Sequence, residues 1–215
     1  MVKTKTNLPP LRLHIPEPKF RPGDEADFSD VVVPEIDEIA RPDEGSAPAA
    51  IQNLAFGLIR VLDNNGNATG SWNPGLEPDQ LRLMLSNMML TRAFDDRMFR
   101  AQRQGKTSFY MKCTGEEATS VATAMALASD DMCFPSYRQQ GILITRGYPL
   151  VKMMNQIYSN RADHLKGRQL PIMYSAPDHS FFSISGNLAT QYPQAVGWAM
   201  ASASRGDTRI SACWC

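Results

Sequence analysis

The sequence has little that would commit it to a membrane, a polyanion or a metal. No apolar run approaches the roughly 20 residues a membrane helix needs. The opening stretch, MVKTKTNLPPLRLHIPEPKF, puts no continuous apolar region behind its early lysines, which argues against a secretory signal. Neither charge is in excess, since Lys plus Arg and Asp plus Glu both total 22. A nucleic-acid binder carries a basic face or stripe, so no nucleic-acid partner is expected. Histidine occurs three times, as His14, His164 and His179, at spacings that suggest no metal site. Cysteine occurs four times. Without a signal these read as free thiols of a reducing compartment, which makes the cytoplasm the expected location and the sequon at Asn67 a chance match.

Nucleotide and hydrolase signatures are missing too. Gly105-Lys106-Thr107 has the ending of a phosphate-binding loop, but Arg100 stands where that loop needs a glycine. There is no G-x-G-x-x-G and no G-x-S-x-G. Cys213-x-Cys215 supplies only half of a four-ligand zinc site.

What is present is uneven. Nine of the 15 prolines fall in residues 1–74. Each removes a backbone donor and restricts its predecessor, so residues 1–50 are expected to form an extended arm rather than helix. Leu11, Leu13, Ile15 and Val31 to Val33 would let such an arm lie on another surface. Residues 57–72 predict a small hairpin turning at Asn65-Gly66. We take residues 1–75 as this arm with its hairpin and residues 76–215 as an α/β domain.

The domain opens with a predicted long helix from Pro78 to Gln104, with proline in its first turn and Gly105 past its end. Its first half is apolar nearly all round (Leu81, Leu83, Met84, Leu85, Met88, Met89, Leu90), which predicts burial, in this chain or against a partner. Beyond it, small-residue helices alternate with short strands, as in a layered fold with a mainly parallel sheet. Pro149 opens a helix presenting Leu150, Met154, Ile157 and Tyr158. A long polar connection leads to a closing helix over 188–204, thinned by Ala195, Gly197, Ala199, Ala201 and Ala203 for close packing. Ser185-Gly186-Asn187 feeds that helix. Two readings stand for it: a helix cap, or a helix amino end offering N–H groups to an anion or a polar ligand edge.

Four blocks taken together carry a resemblance: SFYMKCTGEEA (108–118), FPSYRQQG (134–141), KGRQLPIMYS (166–175) and SISGNLATQYPQAVGWA (183–199). In order and spacing they resemble the α subunit of the decarboxylating component of branched-chain 2-oxoacid dehydrogenase, and the Pro-rich arm is similar to bacterial members. The resemblance implies a thiamine-diphosphate-binding α/β fold, here its first half. It also implies a cofactor lying between α and β subunits of an α2β2 heterotetramer, a β-subunit carboxylate that activates it, and transfer of the acyl group to a lipoyl transacylase.

Carried over by residue, the resemblance puts Tyr137, Arg138, Gly186 and Leu188 at thiamine diphosphate. Ser185, Thr190 and Gln191 match a monovalent-cation site, with K+ as its ion, although Asn187 replaces the relatives' proline there. Phe109, Tyr110, Met173 and Tyr174 would help shape an apolar pocket for a branched side chain, or pack as ordinary core. The resemblance implies that Mg2+ is carried by a Gly-Asp-Gly and a later asparagine, both past Cys215, so this stretch alone is expected neither to hold the cofactor nor to decarboxylate. Rival expectations are a pyruvate- or acetoin-type α subunit, and a non-catalytic chain that only docks on a β subunit.

Overall fold

A computed structural model describes residues 17, 21–25, 27–29, 31–55 and 57–215, with the backbone alone at 53 and 55. Leu11, Leu13 and Ile15 of the expected arm lie outside these. The chain divides into two compact units, Met1–Gly75 and Leu76–Cys215.

In the first unit, Val31, Val32 and Val33 remain exposed. The arm is not extended throughout, because Pro48–Ala55 winds into a 3-10 helix. The hairpin reduces to one antiparallel bridge between Leu62 and Ala68. Its turn is set by Asp63, whose carboxylate accepts the N–H groups of Asn65 and Asn67, and by Gly66 at φ +82°. The Asn67 backbone donor holds the Asp63 carboxyl below its usual range. Residues 37–41 are tied to 71–72: Asp37 accepts from the Ser71 backbone at 2.8 Å, and the Trp72 indole donates to Ile39 O at 2.6 Å.

The second unit begins with α1 (Pro78–Arg103). Gln80 reaches back to the Glu77 N–H at 2.9 Å, half of a capping box. The helix ends where Gly105 takes φ +70° and Lys106 N closes onto Ala101 O. The expected burial of its first half does not occur within this chain. Leu81, Leu83, Leu85 and Met89 are all more than 50% exposed, and the buried face starts only at Thr91 and continues through Phe94, Asp95, Met98 and Ala101. That spacing of three and four residues is one helical stripe, so α1 is an amphipathic core helix in its second half alone.

Next come α2 (Glu117–Ala126), β1 (Met132–Phe134), α3 (Gln140–Thr145) and α4 (Leu150–Ile157). Helix α3 crosses α2 closely at Gly141, where a Cβ would sit 2.9 Å from Ser120 Cβ. Replacing Gly141 with alanine should therefore cost about 1–3 kcal/mol by forcing the two backbones apart. Denaturant unfolding of the full-length protein checks this, and an unchanged midpoint would refute the close crossing. In α4 the predicted face is partly right. Ile157 is buried, while Leu150, Met154 and Tyr158 only flank the core and Met153 fills it.

The chain then runs to a 3-10 turn, Pro177–His179, and returns through α5 (Gln191–Ser204) to β2 (Ser211–Cys213). Strands β1 and β2 pair in parallel, Met132 opposite Ser211 and Phe134 opposite Cys213. Cys133 N donates to Ser180 O and Phe182 N to Cys133 O, so residues 180–182 flank β1 on its other side. The helices and this small parallel sheet make an α/β fold. A core of Phe94, Met98, Ile142, Leu143, Met153, Ile172, Tyr174 and Phe181 fills the space around them.

Helix α5 differs from expectation twice. It starts at Gln191, because residues 187–190 form a turn in which Ala189 takes φ +67° and Thr190 Oγ1 donates to Asn187 O. Of the small residues expected to pack, only Ala195 does so. Gln191, Ala195 and Ser202 are buried, whereas Gly197, Ala199, Ala201 and Ala203 are exposed.

Candidate functional site

The carboxyl end of β1 is where the chain gathers. In parallel sheets, ligands bind beyond the carboxyl ends of strands, where backbone polar groups and loop side chains converge. From Phe134 the chain enters residues 135–139. Gln191, buried at the start of α5, uses its side-chain amide to donate to both Pro135 O (3.4 Å) and Ser185 O (3.3 Å). One side chain therefore joins the loop after β1 to the turn before α5. The end of β2 closes on both: Trp214 N donates to Phe134 O at 3.0 Å, and Ala189 N to Cys215 Sγ at 3.1 Å.

The other two blocks reach the same place. Ile184 N bonds to Tyr174 O, and the exposed Gly186 packs so near Met173 that a Cβ there would meet the Met173 methyl at 3.3 Å. Glu116, just ahead of α2, spans to the 135–139 loop. Its carboxylate accepts from Arg138 Nη1 at 3.1 Å and from Gln139 Nε2 at 3.3 Å. Gln139 in turn accepts the backbone N–H and hydroxyl of Ser136 at 2.9 and 2.6 Å, which closes the loop on itself.

The sequence-predicted residues fall into four groups. Tyr137 and Arg138 stand together at the loop, half-buried, with the guanidinium 5.4 Å from the Tyr137 ring centre. Gly186 and Leu188 stand at the turn, and the Leu188 side chain is exposed to 69%. Ser185, Thr190 and Gln191 surround Asn187: Ser185 Oγ accepts from Asn187 N, and Gln191 Oε1 is buried without a hydrogen-bond partner among the described residues. Phe109, Tyr110, Met173 and Tyr174 belong to the core, Phe109 at its margin and the others less than 10% exposed. A cavity of about 410 Å³ lies elsewhere, along α1 between Leu85, Met88, Met89 and Glu117. It has the α1 apolar surface as its wall and none of these residues.

Beneath the site runs a buried polar chain that sequence reasoning missed. Asp95, on α1, accepts from Tyr110 Oη and from Cys113 N, both at 2.6 Å. Burial raises the Asp95 carboxyl above its usual value, and burial beside it pushes up the Tyr110 phenol and the Cys113 thiol. Asp95 thus pins the start of the Cys113–Glu116 turn. Glu117 pins its end, accepting from Gly115 N at 2.8 Å and pairing with Arg92, whose hydrogen bond holds the Glu117 carboxyl low. Glu116 and Gln139 had no detectable sequence signal as partners. They lie 23 residues apart, and only packing of α2 against α3 brings them together.

Among the described residues no group of three or more His, Cys, Asp or Glu side chains is placed to hold a metal, and no helix is long and apolar enough to cross a membrane. All four cysteines are free, and burial raises the Cys133 thiol to about 11.

Comparison with known proteins places this arrangement. Residues 85–215, more than half of the chain, match the model of the dehydrogenase E1 component, and residues 9–49 match that of the 2-oxoisovalerate dehydrogenase E1 alpha subunit N terminal. The chain is 58% identical to the 2-oxoisovalerate dehydrogenase subunit alpha of Pseudomonas aeruginosa, over 95% of this chain and 50% of that protein. It is 37% identical to the mitochondrial 2-oxoisovalerate dehydrogenase subunit alpha of Homo sapiens, over 92% of this chain and 42% of that protein. The chain thus spans half the length, or less, of these relatives. With the matched region running through both strands and every loop that meets at their ends, the chain belongs to the dehydrogenase E1 component family.

Proposed function

We propose that this chain supplies the amino-terminal half of the α subunit of a thiamine-diphosphate-dependent 2-oxoacid dehydrogenase acting on branched-chain 2-oxoacids. The observation that carries the reading is the meeting of Arg138, Gly186 and the Gln191 turn at the carboxyl end of β1, joined by a single buried glutamine. The donor set fits the cofactor. A guanidinium offers forked, permanently charged contacts to a diphosphate, a glycine lets a ring approach the backbone, and an exposed leucine offers apolar surface to it. When bound, thiamine diphosphate supplies the electron sink for decarboxylation, and the protein positions it and sets the field around it.

The turn at 185–191 also fits a monovalent cation. Its donors are neutral oxygens, from Ser185, Thr190 and the unpartnered amide oxygen of Gln191, with no carboxylate among them. A hard divalent ion such as Mg2+ wants carboxylate or phosphate oxygens, and we assign it no ligand within these residues. Phe109, Tyr110, Met173 and Tyr174 act on substrate choice from the core, by setting the shape of the surface over them. A β subunit and a lipoyl transacylase are the proposed partners, in a thiamine-diphosphate fold and a cytoplasmic setting that suits four free thiols.

The test is substrate profiling of the full-length protein assembled with its β subunit. Faster reduction of a lipoyl acceptor with 2-oxoisovalerate than with pyruvate is expected. A preference for pyruvate would overturn the substrate class, and no cofactor binding at all would overturn the family mechanism for this chain.

A further inference from the structure

The cation proposed to meet the diphosphate is not bare. Arg138 already faces a carboxylate, and that pairing has a structure of its own. Glu116 stands at the amino end of α2, where the helix dipole stabilises a negative charge. Its backbone is fixed from both sides, by Glu116 N to Cys113 O at 2.8 Å and by Ser120 N to Glu116 O at 3.1 Å. One carboxylate oxygen takes Arg138 and the other takes Gln139, so a single acid sets two consecutive side chains of the loop after β1. The pair is still open to solvent: the side chains of Arg138 and Glu116 are 43% and 39% exposed. A buried pair would be a structural element and costly to separate. A half-exposed one is worth little to stability and can exchange partners.

We infer that Glu116 is a positioning residue that holds the place of the diphosphate. It orients Arg138 and Gln139 before an anion arrives, and it gives up Arg138 to the anion on binding. The inference rests on the proposed cofactor role of Arg138. A guanidinium has five N–H donors, and Glu116 takes only one of them, from Nη1, so the fork that matches a phosphate oxygen pair can form once an anion arrives. The carboxylate opposes the incoming anion by charge while favouring the geometry that receives it. Glu116 thereby sets how tightly an anion is held and keeps an unpaired cation from standing open to other anions.

The charge and the geometry separate experimentally. In the full-length protein assembled with its β subunit, calorimetric dissociation constants would be measured for inorganic diphosphate and for thiamine diphosphate with Mg2+. Glu116→Gln keeps the shape and an acceptor oxygen but removes the charge. It should bind inorganic diphosphate about fivefold more tightly, with a gain that shrinks as salt is raised. Glu116→Asp keeps the charge and should show no gain. A residue with a merely structural role would lose affinity in both variants. Unchanged or weaker binding by Glu116→Gln, or an equal gain in Glu116→Asp, overturns the assignment. The control is Arg138→Met: if it binds diphosphate as tightly as the native protein, the cofactor reading of Arg138 fails first. If it binds weakly while Glu116→Gln shows no gain, only the assignment of Glu116 falls.

Discussion

Replacing Arg138 with methionine should weaken thiamine diphosphate binding by about 100-fold in the assembled full-length protein, equivalent to about 2.7 kcal/mol. Methionine keeps an unbranched side chain of similar length, so the change removes the fork, the charge and the guanidinium contact with the Tyr137 ring. The loss should be larger at low salt, because a half-exposed cation acts through a partly screened field. Lysine at the same position restores the charge without the fork and should recover only part of the affinity. Tyrosine fluorescence quenching or calorimetry reads these values independently of turnover. A change of less than threefold for Arg138→Met would remove this residue from the cofactor site, whatever happens to activity.

The second large effect concerns Asp95. Its carboxylate is the acceptor for the Tyr110 hydroxyl and the Cys113 N–H, and the residue itself is fully buried. Alanine there would leave two buried donors without a partner, at about 3–5 kcal/mol together. It should also loosen the Cys113–Glu116 turn, because that turn hangs from Cys113 N. Urea unfolding of the full-length protein measures the first effect, and a loss below about 1 kcal/mol would show that the pair of bonds contributes little net energy.

Asp95 also predicts a pH dependence. Burial raises its folded-state pKa above the ordinary carboxylate value. Between the two values the folded protein binds the proton more than the unfolded chain does. Stability from this group is therefore complete below the unfolded value and falls as pH rises toward the folded one. The decline should begin from about pH 4 upward. Asn at this position cannot titrate and should flatten that part of the stability profile, at the cost of one acceptor oxygen. A profile for Asp95→Asn parallel to that of the native protein would place the titration elsewhere.

The exposed half of α1 bears on assembly. Leu81, Leu85 and Met89 are more than half exposed in this chain, and Leu85 and Met89 line the 410 Å³ cavity. An apolar run of this size on a helix is costly to leave wet, which accords with the partner-bound alternative raised for that helix by its composition alone.

Local features were legible in the sequence because their causes are local. Pro78 and Gly105 bound α1 within a residue of where the chain bends, since a missing donor and a left-handed glycine act on their own turn. Asn65-Gly66 turned the chain where expected for the same reason. The four blocks named the family from residue identity alone. Burial was not legible in this way. Leu81 and Leu85 have the same side chain as the core Leu143, and which of them meets water depends on what the rest of the chain packs against. The late start of α5 was missed because a left-handed Ala189 is an uncommon conformation that propensity does not anticipate, held here by the surrounding turn.

The site divides along the same line. Arg138, Gly186 and Gln191 could be singled out from their own motifs. That Gln191 joins Pro135 to Ser185, that Glu116 holds Arg138, and that Asp95 anchors the turn carrying Glu116 are contacts across 15 to 56 residues of sequence. The sequence by itself determined the family and the two ends of α1, and it singled out the residues proposed here to carry the chemistry. Only the tertiary structure decided which carboxylate faces the cation, because a hydrogen bond between distant residues is chosen by how helices and strands pack, not by anything near either partner.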